Sequence, residues 1–153
     1  MKKKILGISI CILCLTMLTG CGDKKALSSK EFKEITENEE LIITDVKNNF
    51  EDKEYVTDAA IAASISGWQI EHYVFTSEEE AKKMYKKNKD DFEKILDKND
   101  KAKETLKNNY SVYIIDNDVT YKYLSQIDNT VLYINTSSSN KESVNDIIKK
   151  LGY

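Results

Sequence analysis

Two dipeptides in the C-terminal half constrain the fold more than any other feature of the chain. Asn117-Asp118 and Asp128-Asn129 separate three runs rich in β-branched and aromatic residues, 110–116, 119–127 and 130–136. Asparagine and aspartate tolerate the positive φ that a tight hairpin turn demands. A connection that short joins only antiparallel neighbours. These residues therefore predict a three-stranded antiparallel meander.

A second set of strand signals precedes it. Residues 41–46 are short and β-branched. Residues 56–65 are ambiguous: Ala59, Ala60, Ala62 and Ala63 favour a helix, whereas Val56, Thr57 and Ile65 favour a strand. The neighbouring strands decide for a strand, closed by the turn at Ser66-Gly67. Residues 68–75 alternate, with Trp68, Ile70, His72 and Val74 on one face and Gln69, Glu71, Tyr73 and Phe75 on the other. Residues 48–54 and 98–109 read as loops.

Three helices complete the pattern. Ser28-x-x-Glu31 is a capping box that opens a helix over 29–39. Ser77-x-x-Glu80 opens a longer one, with an apolar stripe through Ala81, Met84, Tyr85, Phe92, Ile95 and Leu96. Ser139-x-x-Glu142 opens the last, with Val144, Ile147, Ile148 and Leu151 facing inward. Gly152 takes the residue position just past that helix, and Tyr153 folds back. The expected fold class is α+β, in the order α-βββ-α-βββ-α: an antiparallel sheet of two three-stranded meanders with helices packed on one face. The element order suggests a duplication, but no residue-level repeat supports one.

Composition narrows the chemistry. The 153 residues suit one domain, and 41% hydrophobic with 32% charged residues fits a folded rather than a disordered chain. All 23 basic residues are lysine. Without arginine the chain lacks the usual tool for bidentate phosphate and base-edge recognition, so no nucleic-acid partner is expected. The lysines of 82–94 read as a solvated helix face. One histidine rules out a multi-histidine metal site. No phosphate-cradling glycine loop is present, and Asp116-Asn117-Asp118 lacks the rest of a calcium loop. No metal and no cofactor are expected.

Catalytic signals are equally sparse. His72 would need a nucleophile and an orienting acid, and Glu71 points to the opposite strand face. Ser64-Ile65-Ser66-Gly67 is not a nucleophile elbow. Asp116 with Asp118, or Asp128 with Glu71, could pair for acid–base work, but the first pair is better explained as turn chemistry. No catalytic residue is assigned, and the chain is read as a non-enzyme.

The tyrosines, nine in all, are more suggestive. Tyr113, Tyr121, Tyr123 and Tyr133 lie on the C-terminal meander, and Trp68 opens the alternating strand. Exposed, they would supply rigid contact area for a protein or glycan partner. Packed under the helices, they would be core. Both faces of these strands carry aromatics.

The N-terminus is an address. Met1-Lys2-Lys3-Lys4 precedes an apolar stretch over 5–18, too short for a comfortable membrane span. It ends in Leu18-Thr19-Gly20-Cys21, which resembles the lipobox of bacterial lipoproteins. That resemblance implies a signal peptide over 1–20, acylation of Cys21, a lipidated tether over 21–28 and a single extracytoplasmic α+β domain over 29–153. The domain would then sit at the outer face of the cell membrane. Cys11 and Cys14 would leave with the signal peptide. Its loss removes three lysines and no acid, taking the net charge from −3 to −6.

The body, at Trp68-Gln69-Ile70-Glu71, Ala81-Lys82-Lys83-Met84-Tyr85 with Asn88-Lys89, Ile127-Asp128-Asn129-Thr130 and Lys149-Lys150-Leu151-Gly152-Tyr153, resembles a group of small uncharacterised lipoproteins of low-GC Gram-positive bacteria. The group supports the location and brings no activity. The leading expectation is a non-catalytic binding or interaction module of the cell envelope, engaging an envelope protein or a small ligand. The alternatives are an immunity or inhibitor lipoprotein that neutralises a toxin, peptide or hydrolase, and a carboxylate-based hydrolase. A tyrosine-lined concave sheet would favour the first, an acidic flat face the second and two carboxylates converging in a pocket the third.

Overall fold

The computed structural model describes residues 22–97 and 100–153. The lipobox and Cys21 lie outside the described residues. Helix α1 (Ser29–Asn38) starts as its sequence dictates. Ser28 Oγ accepts from the Glu31 amide, and the Glu31 carboxylate accepts from the Ser28 amide at 2.9 Å. Strands β1 (Ile42–Asp45), β2 (Val56–Ala63) and β3 (Gln69–Phe75) follow as an antiparallel meander. The ambiguous alanine-rich segment is thus a strand. Gly67, at φ +85°, makes the turn between β2 and β3 in a region that glycine enters without strain.

Helix α2 (Glu78–Glu93) is capped by Ser77 Oγ, which accepts from the Glu80 amide at 3.2 Å. It ends earlier than its apolar stripe predicts. Lys94 caps it, and Ile95 lies outside it at 63% exposure.

The next element corrects the sequence reading. Residues 102–106, expected to be loop, form β4 (Ala102–Leu106). This strand pairs antiparallel with β5 (Tyr110–Asp116), from Ala102 opposite Ile115 to Leu106 opposite Ser111. Every β4 residue is exposed, so the ladder is its main support. Strands β6 (Thr120–Ile127) and β7 (Thr130–Ser137) complete a four-stranded meander. Asp128, at φ +46°, takes the strained position in the β6–β7 turn, as its residue type allows.

The two meanders do not stay separate. β3 pairs antiparallel with β7, giving one seven-stranded sheet in the order β1-β2-β3-β7-β6-β5-β4. The last helix, α3 (Lys141–Lys150), is entered through a 3-10 turn at Ser138–Asn140. The expected Ser139–Glu142 capping box does not form, because the 3-10 turn makes Asn140 the cap residue. The C-terminus follows its prediction. Gly152, at φ +78°, donates to the Lys149 carbonyl, and the Tyr153 amide donates to the Ile148 carbonyl. That pair of bonds is a Schellman motif. It swings the Tyr153 ring back over the sheet, where its hydroxyl meets Thr130 Oγ1 at 2.7 Å.

The helices do not share one face, which corrects the second part of the fold expectation. Phe32 of α1 and Val144, Ile147 and Ile148 of α3 pack with Ile70, Tyr121, Tyr123, Leu132 and Ile134. On the other face, Ala81, Tyr85 and Phe92 of α2 pack with Phe75, Tyr113, Ile115, Leu124 and Val131. The cause is in the strands. Successive side chains alternate faces, and β5, β6 and β7 are apolar at both parities. A sheet of that kind must be covered on both sides. Among the described residues, no helix is long and apolar enough to cross a membrane.

Candidate functional site

The residues expected to form an aromatic binding surface are mostly core. Trp68, Tyr113, Tyr121 and Tyr123 are buried, and they divide between the two faces of the sheet. Tyr113 lies under α2, whereas Trp68, Tyr121 and Tyr123 lie under α1 and α3. Only Tyr133 is partly exposed, packed at 5.2 Å from the Phe92 ring. These side chains therefore fill interior volume and form no continuous exposed face.

His72 is wholly buried. Its ring stacks on Phe32 at 4.8 Å and meets the edge of Tyr153 at 6.3 Å. Neither ring nitrogen has a hydrogen-bond partner. Glu71, on the opposite face, accepts from Tyr73 Oη and, at 2.8 Å, from Gln69 Nε2. The paired-carboxylate candidates do not converge either. Asp116 is bound by Lys141 Nζ at 2.6 Å. Glu71 lies opposite Tyr133, whereas Asp128 sits in the turn beyond the Thr130–Val74 pair. Among the described residues, no group of His, Cys, Asp or Glu is placed to hold a metal ion.

The concave features are elsewhere, and sequence reasoning missed them. Two clefts open on opposite faces of the sheet at the same end, where β5 turns into β6. The first has a volume of about 420 Å³ and lies between the residues after α2 and the β5–β6 turn. Ile95, Leu96, Ile115 and Val119 line its walls, with Asp97, Asp100 and Asp118 around them. Ile95 at 63% and Val119 at 72% exposure are two of the large apolar side chains the molecule leaves in water, and both flank this cleft. Asn117 organises the turn: its Oδ1 accepts from the Val119 and Thr120 amides, and its Nδ2 donates to Asp100 at 2.8 Å.

Lys122 lines the same cleft from β6. It is only 7% exposed, and its ammonium lies 4.7 Å from the centroid of the Phe92 ring. Among the described residues it forms no ion pair. Burial pushes its pKa below the ordinary lysine value. The aromatic face offsets part of the cost of desolvating the ammonium, but no anion completes it.

The second cleft, of about 440 Å³, lies on the face covered by α3. Ile114 and Tyr121 line it with Lys101, Lys103 and Lys141. Tyr121 Oη donates to Asn145 Oδ1 at 2.6 Å, and Lys141 is held by Asp116. Lys101 and Lys103 form no ion pair among the described residues. Volumes of this size fall within the range that accommodates small organic ligands, about 300–1,000 Å³.

The chain's N-terminal segment is held at the other end of the sheet. The Lys24 amide donates to Asn109 Oδ1 at 3.2 Å, and Asn109 Nδ2 donates back to the Lys24 carbonyl at 2.6 Å. Asn109 precedes β5 and also donates to Asp128 Oδ1 at 3.2 Å, in the β6–β7 turn. The Lys24 ammonium lies 5.2 Å from the Tyr110 ring centroid. Ala26 and Leu27 continue into the apolar cluster beneath α1. No family model, curated protein or solved structure matches the chain.

Proposed function

We propose that the chain is a lipid-anchored lipoprotein of the cell envelope, a non-catalytic binding module held by acylated Cys21 at the outer face of the membrane. The observation that carries this reading is the polarity of the fold. Asn109 clamps the segment that follows Cys21 at one end of β5, and both clefts open at the other end. Lys24 is three residue steps from Cys21, a reach of at most about 11 Å. β5 extends roughly 20 Å at the usual rise per residue. An anchor at Cys21 therefore places the clefts away from the bilayer, open to solutes on the outer side. Two acyl chains with about 0.8 kcal/mol per buried methylene make such anchoring stable.

The contents of the clefts support a binding role. They combine apolar side chains with lysines, of which Lys122, Lys101 and Lys103 form no ion pair among the described residues, and the one histidine is sealed in the core away from both. The expected ligand is a small solute rather than an extended protein face, because the candidate aromatic anchors are interior.

Replacement of Cys21 with Ala tests the anchor. The precursor should lose fatty-acid labelling, and the domain should leave the membrane fraction. Full membrane retention of an unlabelled Cys21→Ala protein would overturn the proposal.

A further inference from the structure

The cleft beside Lys122 has a chemistry specific enough to name its ligand class. A lysine that is 7% exposed is unusual unless paired, since its ammonium loses much of its water. Here the stem runs inward along the α2 face, and the ammonium meets a π-face on one side and the cleft on the other. A cation–π contact attracts an ammonium but leaves its N–H donors unused. The site is thus short of one anion. Around it stand four apolar side chains, Ile95, Leu96, Ile115 and Val119. The exposed carboxylates of Asp97 and Asp118 line the same cleft and form no ion pair among the described residues, so they are open to a cation.

We infer that this cleft binds a short apolar peptide or apolar amino acid as a zwitterion, with its carboxylate on Lys122 Nζ, its ammonium at Asp97 and Asp118, and its side chains against Ile95, Ile115 and Val119. This inference rests on the reading of the chain as a binding module and specifies what one of its clefts takes. A charge-assisted bond to a ligand carboxylate completes the coordination of Lys122. Ligand side chains cover the apolar surface that Ile95 and Val119 leave in water. The volume of about 420 Å³ holds a dipeptide. A purely anionic ligand would leave the two carboxylates unpaired and facing it, and a purely cationic one would leave Lys122 as it stands.

The probes are the dipeptide Leu-Leu, its C-terminal amide and its N-acetyl derivative, titrated into the 15N-labelled mature lipoprotein in detergent micelles. Leu-Leu should shift the amide signals of Leu96, Val119, Thr120 and Lys122 and leave those around Asn109 in place. The amide should bind at least tenfold more weakly, because it lacks the group that Lys122 takes. The N-acetyl form should lose about tenfold through the missing ammonium, equivalent to about 1.4 kcal/mol. Lys122→Met keeps an apolar stem against Phe92, and with the rest of the spectrum unchanged it should abolish the preference for the free acid over the amide.

Equal binding of acid and amide by the wild-type protein would overturn the inference. So would a Lys122→Met protein that is folded and keeps the preference, or an absence of shifts at about 10 mM Leu-Leu, a concentration that saturates even a millimolar site. These outcomes are separate from those for the anchor. A protein that binds Leu-Leu but stays in the membrane as Cys21→Ala keeps the cleft and loses the anchor. An anchored protein that ignores Leu-Leu loses only the cleft.

Discussion

His72 shows how much one side chain can set. Its position on β3 places it between Ala60 of β2 and Leu132 of β7, with Phe32 of α1 above and Tyr153 at its edge. The charged groups facing it are Asp58 on β2 and Lys33 on α1, which lie 3.7 Å from each other. Burial pushes the His72 pKa down to about 4, with Asp58 opposing the shift and Lys33 adding to it. An unfolded histidine titrates near 6.5. Between those values the unfolded chain binds a proton that the folded chain refuses, so acid favours unfolding. The contribution is fully present above about pH 6.5 and is lost as the pH falls toward 4. The gap corresponds to roughly 3 kcal/mol. Urea midpoints should therefore fall steeply between pH 7 and 5 in the wild-type protein. His72→Phe should flatten that part of the profile, and an unchanged slope in the variant would refute the assignment. The alternation over 68–75 already puts His72 on the same strand face as Trp68 and Ile70. Its complete burial and its unpartnered nitrogens come from α1 and the C-terminus, which no local pattern specifies.

At the scale of elements, the legible features are those with local causes. The β5–β6 and β6–β7 hairpins follow from Asn117-Asp118 and Asp128-Asn129, and α1 from Ser28 and Glu31. The Schellman turn follows from Gly152. β4 was not legible, because Ala102-Lys103-Glu104-Thr105-Leu106 has no apolar alternation and buries no side chain. It forms because β5 offers an edge. Some side-chain support comes from Glu104, which binds Lys89 Nζ at 2.6 Å and Tyr85 Oη at 3.3 Å on α2. The candidate site was illegible for a related reason. Lys122 sits mid-strand between tyrosines, and only the packing of Phe92 above it makes it a buried, unpartnered cation. The tyrosines themselves were legible as a two-faced set, but their burial depended on helices covering both faces. A strand held mainly by one ladder should open more readily than the rest of its sheet. Hydrogen exchange should therefore be faster in the edge strands β1 and β4 than in the central strands and slowest in β6 and β7, and protection of β4 equal to that of β6 would contradict this account.

For the whole molecule, the decisive contact is the Asn109 clamp, because under the proposed anchoring at Cys21 it limits how far the domain can turn on its tether. Both Lys24 backbone groups are bound by one side chain, which the Asp128 carboxylate also holds. Ala26 and Leu27 then pack, partly buried, against the core, so the segment is tied to the domain from Lys24 onward. On the proposed anchoring, a domain held in this way keeps its clefts on the side away from the bilayer. The energy at stake is that of two or three hydrogen bonds, each contributing about 1 kcal/mol net. Asn109→Ala should leave the sheet intact and free the segment around Lys24 and Lys25. Cleavage after these lysines by trypsin follows the population of the opened segment when opening is fast. On the proposed anchoring, release of the domain from membranes by brief trypsin treatment should then be at least about tenfold faster in Asn109→Ala than in the wild-type protein. Equal release rates would mean that the clamp does not hold the tether, and that the clefts are free to face any direction the anchor allows.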